Sequence, residues 1–148
     1  MGGAQGLFLA IGAGKTIGQF TRNPGKTAGN VRAMPNTPAA IGKGITVGCG
    51  NKNVTALQKE TCDDLLRAAG AVEWVTEEGL IDAVTAVSGS GPAYVFYLVE
   101  ALAGAGEQIG LDKELAQKLA APTICGAGAL PEQSSEGRAQ LPRNWTRP

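Results

Sequence analysis

The chain has 148 residues, of which 43% are hydrophobic, and its 13 basic residues balance 13 acidic residues. This length suits about one globular domain, and the even charge excludes the basic surface that a nucleic-acid-binding protein presents. No stretch is apolar enough over enough residues to predict a membrane span, and the start of the chain has no targeting signal, so we expect a cytoplasmic protein.

The numbers of cysteine and histidine residues restrict the disulfides, metal sites and general bases that the chain can contain. The three cysteines, Cys49, Cys62 and Cys125, are odd in number and far apart, which fits neither a disulfide framework nor a Cys-x-x-Cys metal site. Histidine is absent, so the commonest general base and the commonest zinc ligand are both missing. We therefore expect no metal site.

The first half of the chain alternates predicted strands and helices. Short apolar runs predict four strands, at 6–11, 30–34, 44–50 and 71–75. A short helix is expected to open within 14–20 and to end at the Asn-Pro-Gly turn of 23–25, and apolar residues at helical spacing predict an amphipathic helix over 54–69. Such alternation is typical of a parallel α/β sheet.

The first predicted strand is followed by Gly14, Lys15 and Thr16, which raises the possibility of a phosphate-binding loop. That motif needs a glycine five residues before Gly14, where this chain has the bulky Leu9 inside the predicted strand. Nucleotide hydrolysis therefore stays only a remote alternative.

After Thr76 the sequence predicts helices alone, over 77–87, 91–110 and 111–130. Thr76 and Asp112 are expected to cap the first and third of these helices, and Pro122 is expected to kink or break the third. The predicted fold class is therefore α/β followed by all-α, with the boundary between residues 76 and 77.

Two loops collect unusual residues. Segment 32–44 holds two prolines, Asn36 and Thr37, and is either an ordinary connection between strands or part of a binding site. Segment 88–92, Ser-Gly-Ser-Gly-Pro, precedes a helix and is either a tight turn or a place where backbone N–H groups hold a carboxylate or phosphate.

Two glutamates and an aromatic group also need an interpretation. Glu78 is expected near a helix start, where an acidic residue ordinarily complements the helix dipole. Glu100 interrupts an apolar helix, so we expect it to be paired, often across an interface. Tyr94, Phe96 and Tyr97 are interpreted as core or dimer surface.

Taken together, the two loops and their flanks resemble one enzyme family. Segments 31–47 (VRAMPNTPAAIGKGITV) and 80–106 (LIDAVTAVSGSGPAYVFYLVEALAGAG) closely resemble pyrroline-5-carboxylate reductase, and the connecting residues 65–84 fit as well. Segment 11–16 is similar to the family's Ala-Ala-Gly-Lys-Thr loop at the end of a Rossmann strand, so Lys15 is incidental there. The resemblance covers nearly the whole chain.

The resemblance implies an oxidoreductase that transfers a hydride from NADPH or NADH to the C=N bond of 1-pyrroline-5-carboxylate, giving L-proline. It also implies that residues 1–76 are the C-terminal half of a Rossmann-type dinucleotide-binding domain. Residues 77–148 would form a helical dimerisation and substrate domain, through which the protein forms a homodimer or higher homo-oligomer.

The resemblance further implies two sets of binding residues. The cofactor set is Ile11, Gly12, Ala13, Met34, Asn36, Thr37 and Asn144. The substrate set is Glu78, Thr85, Ser88, Ser90 and Asn144. No catalytic residue is assigned, because a protonated imine is already electrophilic and the protein need mainly orient the reactants.

The chain also departs from the family pattern. No Gly-x-Gly-x-x-[Gly/Ala] turn for the pyrophosphate precedes Leu7, and no Ser-Pro-Gly-Gly-Thr loop for the substrate carboxylate follows Asn144. The chain thus resembles an internal piece of the family's enzymes, and we expect residues 1–148 by themselves to have little reductase activity. The alternative is a non-catalytic module that only dimerises.

Overall fold

The structure, a computed structural model, describes residues 6–12, 14–20 and 28–133. Two compact units divide between Pro92 and Ala93, the first built on a sheet and the second from helices. This confirms the predicted order of an α/β part followed by an all-α part. Compactness alone does not define a functional domain, so the boundary predicted after residue 76 stays a prediction.

A four-stranded mixed sheet forms the centre of the first unit. Its strands, in spatial order, are β1 (Leu7–Ala10), β2 (Gly29–Met34), β3 (Gly44–Gly50) and β4 (Gly70–Trp74). Each strand end lies within one residue of its predicted position. The short apolar runs were therefore sufficient to locate all four strands.

The expectation of a wholly parallel sheet is wrong for one pair. β1 and β2 are parallel, as are β3 and β4, but β2 and β3 are antiparallel. The connection between β2 and β3 contains only a 3₁₀ helix, Thr37–Ile41, and is too short for the crossover of a dozen or more residues that a parallel pair needs. Loop length therefore dictates the direction of β3.

The described residues form five α-helices: α1 (Ile17–Phe20), α2 (Ala56–Arg67), α3 (Leu80–Val84), α4 (Gly91–Gln108) and α5 (Lys113–Gln133). A π-helical segment, Thr85–Gly89, directly follows α3. The first predicted helix of the second half therefore begins at Leu80 rather than at residue 77, and Gly79 rather than Thr76 is its cap residue. No helix within the described ranges is long and apolar enough to cross a membrane.

Residues of the sheet pack on both of its faces. On one face Ala33 packs with Leu66 of α2 and Val72 of β4. On the other face Val47 and Cys49 pack with Ile81 of α3. Because successive strand residues point to opposite faces, a sheet covered on both faces buries side chains of either parity.

The N-terminus of α2 carries a capping box. The Thr55 hydroxyl accepts from the Gln58 N–H, and the Gln58 side chain accepts from the Thr55 N–H. Further along the helix, hydrogen bonds from the Trp74 indole and then from Arg67 hold the pKa of Asp63 below its usual range. The hydrogen bond from Trp74 to Asp63 fastens α2 to β4.

In the helical unit, α4 and α5 approach each other closely where small residues face one another. A Cβ on Gly106 would lie 3.3 Å from the Cβ of Ala116.

The Asp112 carboxylate accepts from the Leu115 N–H, which confirms the predicted cap of α5. Of the kink or break predicted at Pro122, the break is wrong, because α5 continues to Gln133, whereas the kink stays a prediction. We attribute this to packing of the buried Ala116 and Ala120, which offsets the cost of one interior proline.

Gly70 provides a test of the sheet geometry. Its φ is +135°, and a Cβ there would lie 2.0 Å from the Gly44 carbonyl oxygen, so Gly70→Ala should lower the free energy of unfolding by roughly 1–3 kcal/mol or more. Urea unfolding measures this loss. Gly79→Ala is the matched control, because Gly79 has a φ of −60° and no neighbour within 4 Å. Equal urea midpoints for the two variants would contradict the described start of β4.

Candidate functional site

The residues predicted to bind the cofactor follow two neighbouring strands. Ile11 and Gly12 come directly after β1, and both are exposed. Met34 ends β2, with Asn36 and Thr37 just beyond it. Because β1 and β2 are parallel and paired in register, the residues after each of them lie at the same edge of the sheet. Ala13 and Asn144, also predicted for this site, lie outside the described residues.

Asn36 has a structural contact of its own. Its side-chain oxygen accepts from the backbone N–H of Ile45 at 3.0 Å, which holds the Met-Pro-Asn-Thr-Pro loop against the start of β3. The 3₁₀ helix that follows ends at Gly42, whose φ is +70°. The Asn36 hydrogen bond therefore fastens the loop to β3 at the sheet edge.

The residues predicted to bind substrate fall in and beside the π-helical segment. Thr85 donates its hydroxyl to the Ile81 carbonyl at 2.8 Å, and Ser88 donates its hydroxyl to the Val84 carbonyl at 3.1 Å. The Ser90 N–H donates to the Thr85 carbonyl at 2.8 Å, which closes the wide turn. The hydroxyl donors of Thr85 and Ser88 are thus used internally, whereas the Ser90 side chain is exposed. Single-turn π segments in helices are frequent at functional sites.

The π-helical segment packs against the end of β2. A Cβ on Gly89 would lie 3.1 Å from the terminal carbon of Met34, closer than nearly all real Cβ contacts. A side chain at residue 89 would therefore push Met34 away. The structure thus brings the predicted substrate segment beside a predicted cofactor residue.

Glu78 makes contacts that the sequence did not indicate. One carboxylate oxygen accepts from the Ile17 N–H at 2.7 Å and from the Arg32 guanidinium at 3.2 Å. Asp82 adds a longer ion pair to Arg32, at 3.9 Å. Glu78 therefore does more than complement a helix dipole, since it holds a buried arginine.

Arg32 was overlooked in the sequence analysis. The signal that could have found it is a charged residue inside a short strand of otherwise apolar and small residues, because a buried charge must be paired. Its side chain is only 9% exposed, against 31% for Glu78. Because β2 is covered on both faces, a side chain on either face of this strand is buried, and Arg32 does not point to solvent.

Cys49, the β3 residue paired with Arg32, carries a buried thiol. Burial raises the pKa of Cys49, the Glu78 carboxylate raises it further, and Arg32 opposes the rise. Burial likewise raises the pKa of Cys62, while Cys125 is exposed. Thiols that stay protonated at neutral pH are poor nucleophiles, so neither buried cysteine is a candidate for covalent catalysis.

The helical unit exposes most of its large apolar side chains. In α4 the aromatic group Tyr94, Phe96 and Tyr97 is exposed, and Ala103 is the buried residue of that helix. Glu100 is exposed too, and it has no ion pair within the described part of the chain. An apolar groove of about 330 Å³ runs between α4 and α5, lined by residues such as Leu102, Ile109 and Leu119.

Known proteins resemble the chain over almost its entire length. The model of the pyrroline-5-carboxylate reductase dimerisation family matches residues 78–148. Pyrroline-5-carboxylate reductase of Pseudomonas aeruginosa is 42% identical over 142 residues, which are 96% of this chain and 52% of that protein. The enzyme of Mycobacterium tuberculosis is 46% identical over 127 residues, or 86% of this chain and 43% of the relative. The chain thus spans about half the length of the curated relatives it matches.

Solved structures agree with this result. A pyrroline-5-carboxylate reductase from Coxiella burnetii has a TM-score of 0.89 and 39% identity, over 96% of this chain and 53% of its own. The Plasmodium falciparum pyrroline carboxylate reductase, solved with NADP bound, has a TM-score of 0.80 and 35% identity, over 96% of this chain and 57% of its own. Sequence motifs, sheet topology and these likenesses agree, and the chain belongs to the pyrroline-5-carboxylate reductase family.

Proposed function

We propose that residues 1–148 are part of a reductase that, in its complete form, reduces the C=N bond of 1-pyrroline-5-carboxylate to give L-proline, with NADPH or NADH as the hydride donor. The observation that carries the proposal is the packing of Gly89 against Met34, which joins the two segments that resemble the reductase signature. The names of the relatives support the same reaction. The solved relative with NADP bound supports a nicotinamide dinucleotide as cofactor.

The residues after β1 fit such a cofactor. Gly12 and Gly14 are exposed, Gly14 has a φ of +71°, and a Cβ built on it would meet nothing within 4 Å. A backbone without side chains lets a ligand approach closely. Ile11, Gly12, Met34, Asn36 and Thr37 would line the nicotinamide end of the site, and the cofactor would supply the hydride.

The polar residues beside the π-helical segment would hold the substrate. Ser90 can offer its exposed hydroxyl, while Thr85 and Ser88 can offer only oxygen lone pairs, because their donors are used internally. A protonated imine needs orientation more than general-base catalysis. A site without histidine is compatible with this reaction.

The first test measures binding and turnover together. The protein, mixed with pyrroline-5-carboxylate and NADPH, should show saturable dinucleotide binding by calorimetry but little loss of reduced-nicotinamide absorbance, because residues 1–148 contain neither family loop for the pyrophosphate or the carboxylate. The Pseudomonas aeruginosa enzyme is the reference. Turnover within about tenfold of the reference, or about 1.4 kcal/mol in barrier, would contradict the expected need for those loops. Absence of binding by both dinucleotides and by the substrate would contradict the proposed reaction.

A second test concerns the substrate side of the site. Ser90→Leu should weaken pyrroline-5-carboxylate binding by about fivefold or more and leave NADPH binding nearly unchanged, because a hydroxyl is lost and a bulky group added. Calorimetric titration of each ligand measures the two affinities. Ala86→Leu is the control, since Ala86 is also exposed and lies in the same π-helical segment. If both variants bind both ligands equally well, segment 88–92 is only a turn.

A dimerising module without catalysis is the second candidate. It is favoured by the exposed apolar side chains of α4 and by the family model, which describes dimerisation over residues 78–148. A homodimer through the helical half would remove this surface from water and would also be needed by the active enzyme.

Sedimentation tests the oligomer directly. The unmodified protein should be a dimer or larger at micromolar concentration, and Tyr97→Glu should shift it toward monomer, because Tyr97 is 72% exposed in the single chain and a buried unpaired charge is costly. Gln108→Glu adds the same charge at another exposed position of α4 and should have little effect. A monomeric unmodified protein would contradict association through α4.

A further inference from the structure

The carboxylate of Glu78 joins three parts of the first unit that are far apart in sequence. Ile17, at the start of α1, lies 61 positions away and donates its N–H at 2.7 Å. Arg32, in β2, lies 46 positions away and donates from its guanidinium at 3.2 Å. Glu78 itself lies just before α3. One oxygen therefore links a helix start, a strand and the entry to a second helix.

Arg32 is the fixed member of this set. It lies in β2, between Ala10 of β1 and Cys49 of β3, its partners in the two strand pairings. A central strand that is paired on both sides cannot shift easily. The position of β2 therefore keeps the Arg32 guanidinium within hydrogen-bond distance of Glu78. Asp82, the other acidic partner, is 88% exposed and 3.9 Å away, so Glu78 is the principal counter-charge.

Both ends of the loop 11–16 are linked to residue 32, the upstream end through backbone strand pairing and the downstream end through the Arg32 side chain. At the upstream end, β1 finishes at Ala10, which is paired with Arg32 in the sheet. At the downstream end, Ile17 is held by Glu78, which Arg32 holds in turn. The Ile17 side chain also packs against the cluster of Val47, Cys49 and Ile81. The loop between these two fixed points is the one assigned above to the cofactor.

We propose that Arg32 is a positioning residue, which through Glu78 holds Ile17, and with it the adjoining residues 14–16, in the position that receives the nicotinamide dinucleotide. The assignment of the loop to that ligand rests on the proposed function. The claim that Arg32 holds Ile17 in place through Glu78 does not rest on it, because two hydrogen bonds and the strand pairing support that claim alone. Removing the guanidinium leaves a half-buried carboxylate free to move away from Ile17.

The claim that Arg32 holds Ile17 is tested by hydrogen exchange in the protein without ligand. In Arg32→Met the Ile17 amide should exchange about tenfold faster, beyond any change at the amides of β3, because a charge-assisted contact that orients its acceptor is lost. Arg32→Lys keeps a positive charge without the planar guanidinium and should recover part of the protection. Arg67→Met is the matched control, since it removes an arginine from an exposed ion pair on α2.

The Glu78→Gln variant distinguishes loss of the Arg32 contact from a general loss of folding. It keeps an oxygen that can accept from Ile17 and leaves Arg32 near Asp82, so its effect on Ile17 exchange should be smaller than that of Arg32→Met. The double variant should exchange no faster than the larger single effect, because both residues act through one contact. Unchanged Ile17 exchange in Arg32→Met, or an equal rise at Ile17 and throughout β3, would overturn the proposal.

Calorimetry with NADPH tests the functional part. Arg32→Met should weaken NADPH binding by about tenfold, with Arg67→Met unchanged, if the loop receives the dinucleotide. Faster Ile17 exchange with unaltered NADPH affinity would overturn the assignment of Arg32 to cofactor positioning. If the unmodified protein binds no dinucleotide, the proposed function fails, and the exchange data alone decide whether Arg32 holds the loop.

Discussion

The sheet unit depends on how one buried positive charge is compensated. Arg32 lies in a strand that is covered on both faces, and its side chain is almost entirely buried. A charge in that position costs several kcal/mol unless a counter-charge and hydrogen bonds accompany it. Glu78 supplies both from the short connection between β4 and α3, and Ile81 of α3 packs against Val47 and Cys49 on the face of the sheet that carries Arg32. Both the ion pair and this apolar contact hold the start of α3 on the sheet.

The same geometry arranges the candidate site. α3 packs on the sheet through Ile81, and its continuation as a π-helical segment reaches the end of β2, where glycine at residue 89 permits contact with Met34. That segment ends at Gly89, and α4 begins at Gly91. A regular helix through Thr85–Gly89 would rotate its polar residues to other positions, so the π turn decides where Ser90 projects.

The helical unit has a different physical problem. α4 carries a long series of apolar side chains, yet within the single chain it buries little more than Ala103. Close approach of Gly106 to Ala116 brings α4 and α5 together through small residues, which leaves the large ones outside that contact. Large apolar patches exposed to water are rare on stable monomers. The family model over residues 78–148, which describes dimerisation, provides a consistent explanation for such a surface.

The sequence alone determined the order and limits of the strands, the cap of α5 at Asp112, and the family, because these depend on local periodicity, turn residues and motifs. It did not determine the direction of β3, the continuation of α5 through Pro122, or the partners of Glu78. Strand direction depends on the span of a loop, helix continuity on what packs against the helix, and an ion pair on which residues meet across 46 positions. Arg32 could be suspected as a charge in a buried strand, but only the tertiary structure decided that its partner is Glu78 and that the pair reaches Ile17, because a long-range contact leaves no periodic trace in the sequence.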